Sequence, residues 1–330
     1  MKRTDIIITE KEYFKAERIF RSARQFEFIS VPSDEPLVSS AIHKHNASAV
    51  VLGVEQYNQG LYSALPKGGI IARFGVGHDG IDKSKATERG VFVTNTPGVL
   101  DDSVAEHAIW LIGVLARNVC RHNSEMKNHK WQPALGMELA GKTLLIVGCG
   151  KIGSKVAKIA SFGFGMHVIG YDVVQVDHEK IRSAGFSEIA ASLDTAVARA
   201  DFISLHLPSL SQTRHFIDAA FFAKMKPASY LVNTARGPVV DEVALYDALQ
   251  ADKISGAALD VFENEPYVPM APGKDLRTLP NIILTPHVGS STVAACERMA
   301  KRVLDNLDAW SQKRYQCMDI VNPEVVKVVQ

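Results

Sequence analysis

Three ionisable residues, Arg236, Glu265 and His287, each follow an apolar run that is a predicted strand in the second half of the sequence. A guanidinium binds a carboxylate through two parallel hydrogen bonds. Histidine changes charge near neutral pH, and a neighbouring carboxylate stabilises its protonated form. The three residue types therefore suit the binding of a carboxylate and the transfer of a proton. Each also has a commoner role, as a surface salt bridge, a solvated carboxylate or a structural histidine.

A glycine-rich turn lies upstream of these residues. Gly148, Gly150 and Gly153 follow a short apolar run in the spacing G-x-G-x-x-G, which is typical of a dinucleotide site when a strand precedes it and a helix follows. The first glycine permits a sharp turn, the second lets a pyrophosphate approach the backbone, and the third lets the helix pack on the strand. Taken alone, the spacing is equally compatible with an ordinary turn.

The next predicted strand, residues 167–172, ends in Asp172, 19 positions after Gly153. An acid there accepts hydrogen bonds from the ribose hydroxyls and repels a 2′-phosphate. Residues 173–176 contain no Arg or Lys. The pattern predicts that the cofactor is NAD rather than NADP.

A nicotinamide enzyme that acts on a 2-hydroxy acid needs a guanidinium for the substrate carboxylate, a proton carrier at the carbinol oxygen and a group that keeps this carrier charged. Arg236, His287 and Glu265 match these needs in that order. The sequence therefore predicts hydride transfer between NADH and a small 2-keto acid.

The composition excludes other classes of protein. The net charge is +1, from 37 basic and 36 acidic residues, and gives no reason to expect a nucleic-acid partner. The four cysteines are far apart, which predicts free thiols and no metal site. Neither a signal peptide nor a membrane-spanning run is found, so we expect a cytoplasmic protein without a membrane partner.

Short apolar runs alternate with helix-compatible segments along the whole chain, which predicts an α/β protein with parallel sheets. Five predicted strands precede residue 100, and six follow residue 143. The spacing of Ser103 and Glu106 predicts a capping box at the start of a helix that ends near residue 115. Residues 122–139 are predicted to be irregular, and residues 291–314 to form one long helix with Val293 among its core positions.

Four motifs together resemble the D-isomer-specific 2-hydroxyacid dehydrogenases, which include phosphoglycerate dehydrogenases and glyoxylate or hydroxypyruvate reductases. They are the glycine turn with Asp172, residues 233–242 (NTARGPVVDE), residues 258–266 (ALDVFENEP) and residues 285–291 (TPHVGSS). The resemblance covers nearly the whole chain. It implies that Arg236 binds the substrate carboxylate and that His287 is the acid/base with Glu265 as its partner.

The resemblance also implies a set of ligand-binding residues. Cofactor-binding positions would be Gly148, Gly150, Lys151, Ile152, Gly153, Asp172, Leu207, Thr234, Ala235 and Asp260, the last at the nicotinamide amide. Val76 and Gly77, in a glycine turn of the first half, would donate backbone N–H groups to the substrate carboxylate. That turn also has a simpler interpretation, as an ordinary connection between a strand and a helix.

The implied architecture has two doubly wound parallel-sheet domains, with a Rossmann NAD-binding domain inserted in a flavodoxin-like substrate domain. The NAD-binding domain would be residues 102–289, and the substrate domain residues 1–101 with 290–330. The active site would lie in the cleft between them, and a homodimer would form through the NAD-binding domains.

Two alternatives remain open at this stage. Animal-type phosphoglycerate dehydrogenases carry an arginine in the loop after the third strand, where this chain has Leu52-Gly-Val-Glu55, although Arg73 matches a second basic position. An unphosphorylated 2-keto acid is therefore the favoured substrate. The same motifs also occur in corepressor-like proteins that act as NAD(H)-responsive scaffolds, which is the alternative function.

Overall fold

The computed structural model describes residues 3–58, 60–174 and 178–329. They form two compact units. The first contains the chain up to Leu100 together with the chain from Ser290 onward, and the second contains Asp101–Gly289.

The described residues contain twelve strands, which we number in chain order. They are β1 (Thr4–Thr9), β2 (Phe26–Val31), β3 (Ala49–Leu52), β4 (Ile70–Arg73), β5 (Phe92–Thr94), β6 (Thr143–Val147), β7 (His167–Tyr171), β8 (Glu188–Ile189), β9 (Phe202–Leu205), β10 (Tyr230–Asn233), β11 (Gly256–Leu259) and β12 (Ile282–Leu284).

The described α-helices are numbered in the same way. They are α1 (Glu10–Lys15), α2 (Glu17–Ser22), α3 (Glu35–His45), α4 (Leu61–Ala64), α5 (Lys83–Glu88), α6 (Asp101–Ala116), α7 (Val119–Lys127), α8 (Lys151–Phe164), α9 (His178–Ser183), α10 (Leu193–Arg199), α11 (Ala219–Phe222), α12 (Glu242–Gln250), α13 (Val293–Ser311) and α14 (Val325–Val329).

The strands of the first unit form a parallel sheet. Among the described residues its order is β2-β1-β3-β4-β5. This is the flavodoxin-like order, which confirms the predicted fold of this unit. All four residues of β3 and of β4 are buried, as expected for parallel strands that have helices on both faces.

The second unit contains the Rossmann sheet. Its described strands are parallel and lie in the order β12-β11-β10-β9-β6-β7-β8. The order reverses at β6, which pairs with β7 on one side and β9 on the other. Ligands of such sheets bind beyond the carboxyl ends of the strands near this reversal. The predicted fold is confirmed, but the expected count of six strands is wrong, because the two-residue edge strand β8 is too short to give an apolar run.

Alternate residues of β6 contribute to two different cores. Leu145 and Val147 pack in one cluster and Leu144 and Ile146 in the other. Because side chains of a strand point alternately to opposite faces, these clusters are the two helix-covered faces of the sheet. The sheet is therefore held from both sides, and the carboxyl ends of its strands are fixed relative to one another.

Three local predictions are wrong. Helix α6 begins at Asp101, so Ser103 lies inside the helix, where it is buried, and does not cap it. Helix α7 covers part of the segment that was predicted to be irregular. It buries none of its residues, and Met126 is the one apolar residue among residues 122–127, so the segment read as polar. Val293 is 77% exposed, because it is the first residue of α13 rather than part of its core face. Of the helices in the described ranges, none has the length and apolar character needed to cross a membrane.

Candidate active site and nucleotide site

Arg236 lies in a turn just beyond β10 that is held by Asn233, the last residue of that strand. The fully buried Asn233 side chain accepts the Ala235 N–H on Oδ1 at 3.0 Å and donates from Nδ2 to the Arg236 carbonyl at 2.9 Å. One side chain thus holds the turn from within. The Arg236 side chain is partly buried, and Nη1 donates to the Ala235 carbonyl at 2.6 Å.

The Arg236 turn packs directly on the segment that carries Glu265. A Cβ on Gly237 would lie 1.9 Å from the carbonyl carbon of Phe262, so only glycine fits there. Glu265 uses its two oxygens separately: Oε1 accepts the Phe262 N–H at 3.0 Å, and Oε2 lies 2.6 Å from His287 Nδ1. The side chains of His287 and Glu265 are 28% and 27% exposed, so the pair is accessible from solvent.

His287 has a left-handed backbone conformation, with φ 53°. This conformation is unfavourable for a residue with a Cβ and persists only where the surroundings impose it. Here the His287 N–H donates to the Asp260 carbonyl at 2.8 Å, and the N–H groups of Val288 and Gly289 donate to the Asp260 carboxylate at 2.9 and 2.8 Å. Asp260 thus determines the direction in which the imidazole leaves the backbone.

The Asp260 carboxylate has further partners and is only 1% exposed. The Thr285 hydroxyl donates to its Oδ1 at 2.5 Å, and Nε2 of His107, on α6, lies 3.3 Å from the same oxygen. Burial alone would raise the pKa of Asp260, but the hydrogen bonds from His107, Thr285 and the backbone outweigh it and lower the pKa. A buried, ionised carboxylate therefore holds the His287 turn.

The three glycines of the turn after β6 differ in their surroundings. Gly148 has φ 100°, and a Cβ there would lie 2.6 Å from the His206 carbonyl oxygen. A Cβ on Gly153 would lie 2.1 Å from the Gly148 carbonyl oxygen. A Cβ on Gly150 would meet nothing within 4 Å. Gly148 and Gly153 are therefore required by the fold itself. Gly150 leaves open space where helix α8 begins.

Helix α8 begins directly after this open space, with Lys151 and Ile152 as its first residues, and no side chain caps its N-terminus. An uncapped N-terminus offers N–H groups and partial positive charge to an anion. Asp172 follows β7 and accepts the Cys149 N–H on Oδ2 at 2.8 Å. Gln175 and Val176, part of the stretch without basic residues, lie outside the described residues.

Leu207, Thr234 and Ala235 follow the carboxyl ends of β9 and β10. Leu207 lies beside the glycine turn, with its Cδ2 3.3 Å from the position of a Cβ on Gly148. Thr234 is buried, and its hydroxyl has no hydrogen-bond partner among the described residues. The open space at Gly150, the uncapped start of α8 and the Thr234 hydroxyl without a partner lie at one edge of the sheet, and together they fit a dinucleotide. Within the described ranges no three His, Cys, Asp or Glu side chains are grouped as metal ligands.

Val76 and Gly77 belong to the first unit, in the turn after β4. The Asn95 side chain donates from Nδ2 to the Val76 carbonyl at 2.8 Å, and the Thr96 N–H donates to the Gly75 carbonyl at 3.0 Å. These bonds fix the turn through its carbonyl groups.

Three residues that support the site were not identified from the sequence. Asn233 orients the Arg236 turn, and His107 and Thr285 hold the Asp260 carboxylate. An Asn at the end of a buried strand is a recognisable signal for a turn. His107 gives no such signal, because its partner is far away in the chain and only the packing of α6 brings the two together.

Comparisons with known proteins agree with this geometry. Residues 109–289 match the model of the NAD-binding domain of the D-isomer specific 2-hydroxyacid dehydrogenases. The chain is 41% identical over 275 residues to a glyoxylate reductase of Korarchaeum cryptofilum, covering 81% of this chain and 80% of the relative.

Two solved structures show the same likeness over the whole fold. A D-lactate dehydrogenase of Aquifex aeolicus, complexed with NAD and lactic acid, has a TM-score of 0.83 and 30% identity and covers 96% of this chain and 99% of its own. An NADPH-dependent glyoxylate/hydroxypyruvate reductase of Sinorhizobium meliloti, in complex with NADP and malonate, has a TM-score of 0.80 and 32% identity, with 94% of each chain covered. The likenesses support an enzyme and not the scaffold alternative. The chain belongs to the D-isomer specific 2-hydroxyacid dehydrogenase family and is an NAD(P)-binding oxidoreductase of 2-hydroxy acids.

Proposed function

We propose that this enzyme reduces a small unphosphorylated 2-keto acid to the D-2-hydroxy acid with NADH, and that His287 is the acid/base, Glu265 its partner and Arg236 the ligand of the substrate carboxylate. The observation that carries the proposal is the 2.6 Å contact between His287 Nδ1 and Glu265 Oε2 on a turn fixed by Asp260. Glyoxylate and hydroxypyruvate, the substrates named for similar reductases, are the first candidates.

The nicotinamide, when bound, supplies the hydride that adds to the keto carbon. The keto oxygen gains negative charge during this addition and needs a proton donor. Because Nδ1 of His287 faces Glu265, Nε2 is the nitrogen that remains for the substrate. The Glu265 carboxylate stabilises the imidazolium before the proton is transferred. In the oxidising direction the same imidazole accepts the proton.

Arg236 would bind the substrate carboxylate, since its turn packs on the segment that carries Glu265. Lys151 and Ile152 would bind the pyrophosphate through the backbone, and Leu207, Thr234 and Ala235 would line the cofactor groove. The roles of Val76 and Gly77 at the carboxylate, and of Asp260 at the nicotinamide amide, stay predictions.

The choice of NADH over NADPH rests on Asp172. Its carboxylate is at the end of β7, beside the glycine turn, and is tied to that turn through the Cys149 N–H. A carboxylate in this position accepts hydrogen bonds from ribose hydroxyls and repels a 2′-phosphate. Similar structures contain NAD in one case and NADP in another, so the family alone does not decide the cofactor.

The preference for an unphosphorylated substrate rests on Arg73. This arginine is 6% exposed, and its Nη1 donates to the carbonyl groups of Leu52 and Phe74. Burial would raise the pKa of Glu55, but Lys11 and the charge of Arg73 lower it, so Glu55 is ionised and offsets the charge of the arginine. A guanidinium that is buried, and whose charge is offset by a nearby carboxylate, is a poor phosphate ligand.

We also propose a homodimer formed through the NAD-binding domain. Large apolar side chains are exposed along its first segment, with Trp110 at 69%, Trp131 at 83% and Leu135 at 99% exposure. Aromatic residues are enriched in surfaces that associate. Sedimentation velocity at micromolar concentration would detect the dimer, and a monomer of 36.1 kDa would contradict it.

The test of the proposed function is NADH oxidation with glyoxylate, hydroxypyruvate, pyruvate and 2-ketobutyrate by the unmodified enzyme and by His287→Ala. We expect turnover with at least one acid, and a loss of about 10²- to 10⁴-fold in kcat for the variant, with NADH affinity little changed. His45→Ala is a matched control, since His45 is 32% exposed and lies 3.9 Å from Asp5 in the first unit. Equal kcat for His287→Ala and the unmodified enzyme would refute the assignment.

A further inference from the structure

A second pair of carboxyl groups lies behind the Glu265 segment. Glu242, the first residue of α12, is 3% exposed, and the side chain of Glu263 is also 3% exposed. The Glu263 N–H donates to Glu242 Oε1 at 2.6 Å, and the Glu242 N–H donates to Glu263 Oε1 at 3.3 Å. Each side chain therefore binds the other residue's backbone, which joins the start of α12 to the loop that carries Glu265.

We propose that Glu242 is a positioning residue for the Glu265–His287 pair, and that it acts through these reciprocal hydrogen bonds with Glu263. The proposal rests on the proposed function, in which that pair transfers the proton.

The first step of the reasoning is the path of the loop. Glu265 turns back to accept the Phe262 N–H on Oε1, which leaves Oε2 for His287. This arrangement requires residues 262–265 to keep one conformation. Among the contacts that fix this conformation from outside are the packing of Gly237 against Phe262 and the hydrogen bond from the Glu263 N–H to Glu242. Removal of the Glu242 carboxyl would leave the Glu263 N–H without its acceptor, between Phe262 and Glu265.

The second step concerns charge. Several titratable or charged groups surround Glu242. Asp241 precedes it in the chain, the opposite loop carries Glu263, Glu265 and Tyr267, and Arg214 and His215 lie on the far side of Glu263. Arg214 and His215 both bind Glu263 Oε2, at 3.3 and 2.7 Å, and neither of these bonds is to Glu242. Glu242 Oε2 is buried and has no hydrogen-bond partner among the described residues.

Burial, followed by the charges of Glu263, Glu265 and Asp241, raises the pKa of Glu242 to about 7. Below this pH the neutral acid keeps Oε1 as an acceptor for the Glu263 N–H and adds no negative charge beside Glu265. A neutral Gln in its place would do the same, whereas Ala would remove the acceptor. Glu242→Gln and Glu242→Ala therefore separate the hydrogen bond from the charge.

The experiment measures the kcat and KM for the best keto acid, the Kd for NADH and the pH profile of reduction for both variants. Glu35→Ala is the matched control, because Glu35 is also the first residue of a helix and accepts the N–H groups of Asn58 and Leu61 in the first unit. We expect Glu242→Gln to keep kcat within about twofold. Glu242→Ala should lose about 10- to 100-fold in kcat, as displaced catalytic groups do, with the Kd for NADH unchanged.

A merely structural role would not change proton transfer, so the pH profile is decisive. Glu242→Ala should move the descending limb of reduction to lower pH, and a further Glu265→Gln substitution should add no second shift, since both changes disrupt the same pair. The control should leave the limb in place. An unmoved limb in Glu242→Ala, or fully additive effects in the double variant, would overturn the proposal.

The imidazole signal of His287 in the resting enzyme gives a readout that needs no turnover. A changed titration of this signal in Glu242→Ala supports positioning even if His287→Ala retains full activity, which would refute only the proposed function. An unchanged titration refutes positioning alone. If Glu242→Ala does not fold, Glu242→Asp replaces it in every measurement. The Asp side chain is one methylene shorter, so its oxygen lies farther from the Glu263 N–H.

Discussion

His287 is fixed to Asp260 through the backbone: the His287 N–H donates to the Asp260 carbonyl at 2.8 Å, and the next two N–H groups donate to the Asp260 carboxylate. The proposed proton donor therefore lies on a turn whose left-handed residue is stabilised by a buried anion. The position of the imidazole depends on a residue that does not have to contact the substrate.

The first prediction concerns this anion. Asp260→Asn replaces one acceptor oxygen by an amide that cannot accept an N–H, which leaves a buried donor without a partner. We expect a loss of about 1–3 kcal/mol in the free energy of unfolding, measured by urea denaturation. The kcat should fall as well, because the His287 turn is no longer held. Unchanged stability together with unchanged kcat would show that the turn does not depend on Asp260.

The second prediction concerns the charge next to the imidazole. Glu265→Gln keeps an oxygen for the Phe262 N–H but removes the anion that lies 2.6 Å from His287 Nδ1. The imidazolium becomes less stable, so the protonated fraction required for reduction is lost at lower pH. We expect the descending limb of the pH profile to move to lower pH and kcat at pH 7.5 to fall about 10-fold or more, since a hydrogen bond to a charged group contributes about 1.5–3 kcal/mol. A profile identical to that of the unmodified enzyme would contradict the pairing.

Local sequence patterns predicted the parts of the fold that depend on periodicity and on glycine. Gly148 and Gly153 could be assigned because their surroundings exclude a Cβ, and the spacing of three glycines reflects that requirement directly. Arg236, Glu265 and His287 could be placed together because the carboxyl ends of parallel strands lie at one edge of a sheet.

The supporting contacts could not be predicted in the same way. The bond between His107 and Asp260, and the pair formed by Glu242 and Glu263, join distant parts of the chain through side-chain conformations that no periodicity encodes. Helix α7 escaped detection for a different reason, since it buries no residue and most of its side chains are polar.

The third prediction concerns the choice of cofactor. The unmodified enzyme should have a higher kcat/KM with NADH than with NADPH, because the Asp172 carboxylate repels a 2′-phosphate. Asp172→Asn keeps the shape of the side chain and removes the charge. The ratio of the two kcat/KM values should shift toward NADPH by about 10-fold or more, since two charges 4 Å apart repel by ~1–4 kcal/mol near a protein surface. Equal kcat/KM values in the unmodified enzyme would exclude this role for Asp172.

The last prediction concerns the pH dependence of stability. The pKa of Glu242 is raised from 4.5 to about 7 in the folded protein, first by burial and then by neighbouring carboxylates. Between these values the folded state holds a proton that the unfolded state has released. Stability therefore falls as pH rises through this window, and the loss is complete above about pH 7.

Glu242→Gln cannot ionise and should not show this loss. The urea midpoint of the variant, relative to that of the unmodified enzyme, should therefore increase between pH 5 and pH 8. Glu35→Gln, which removes a carboxylate from the first turn of another helix, controls for general effects of charge at a helix terminus. If the difference between Glu242→Gln and the unmodified enzyme is the same at both pH values, Glu242 does not hold its proton in the folded state, and the neutral acid cannot be the form that orders the Glu265 loop.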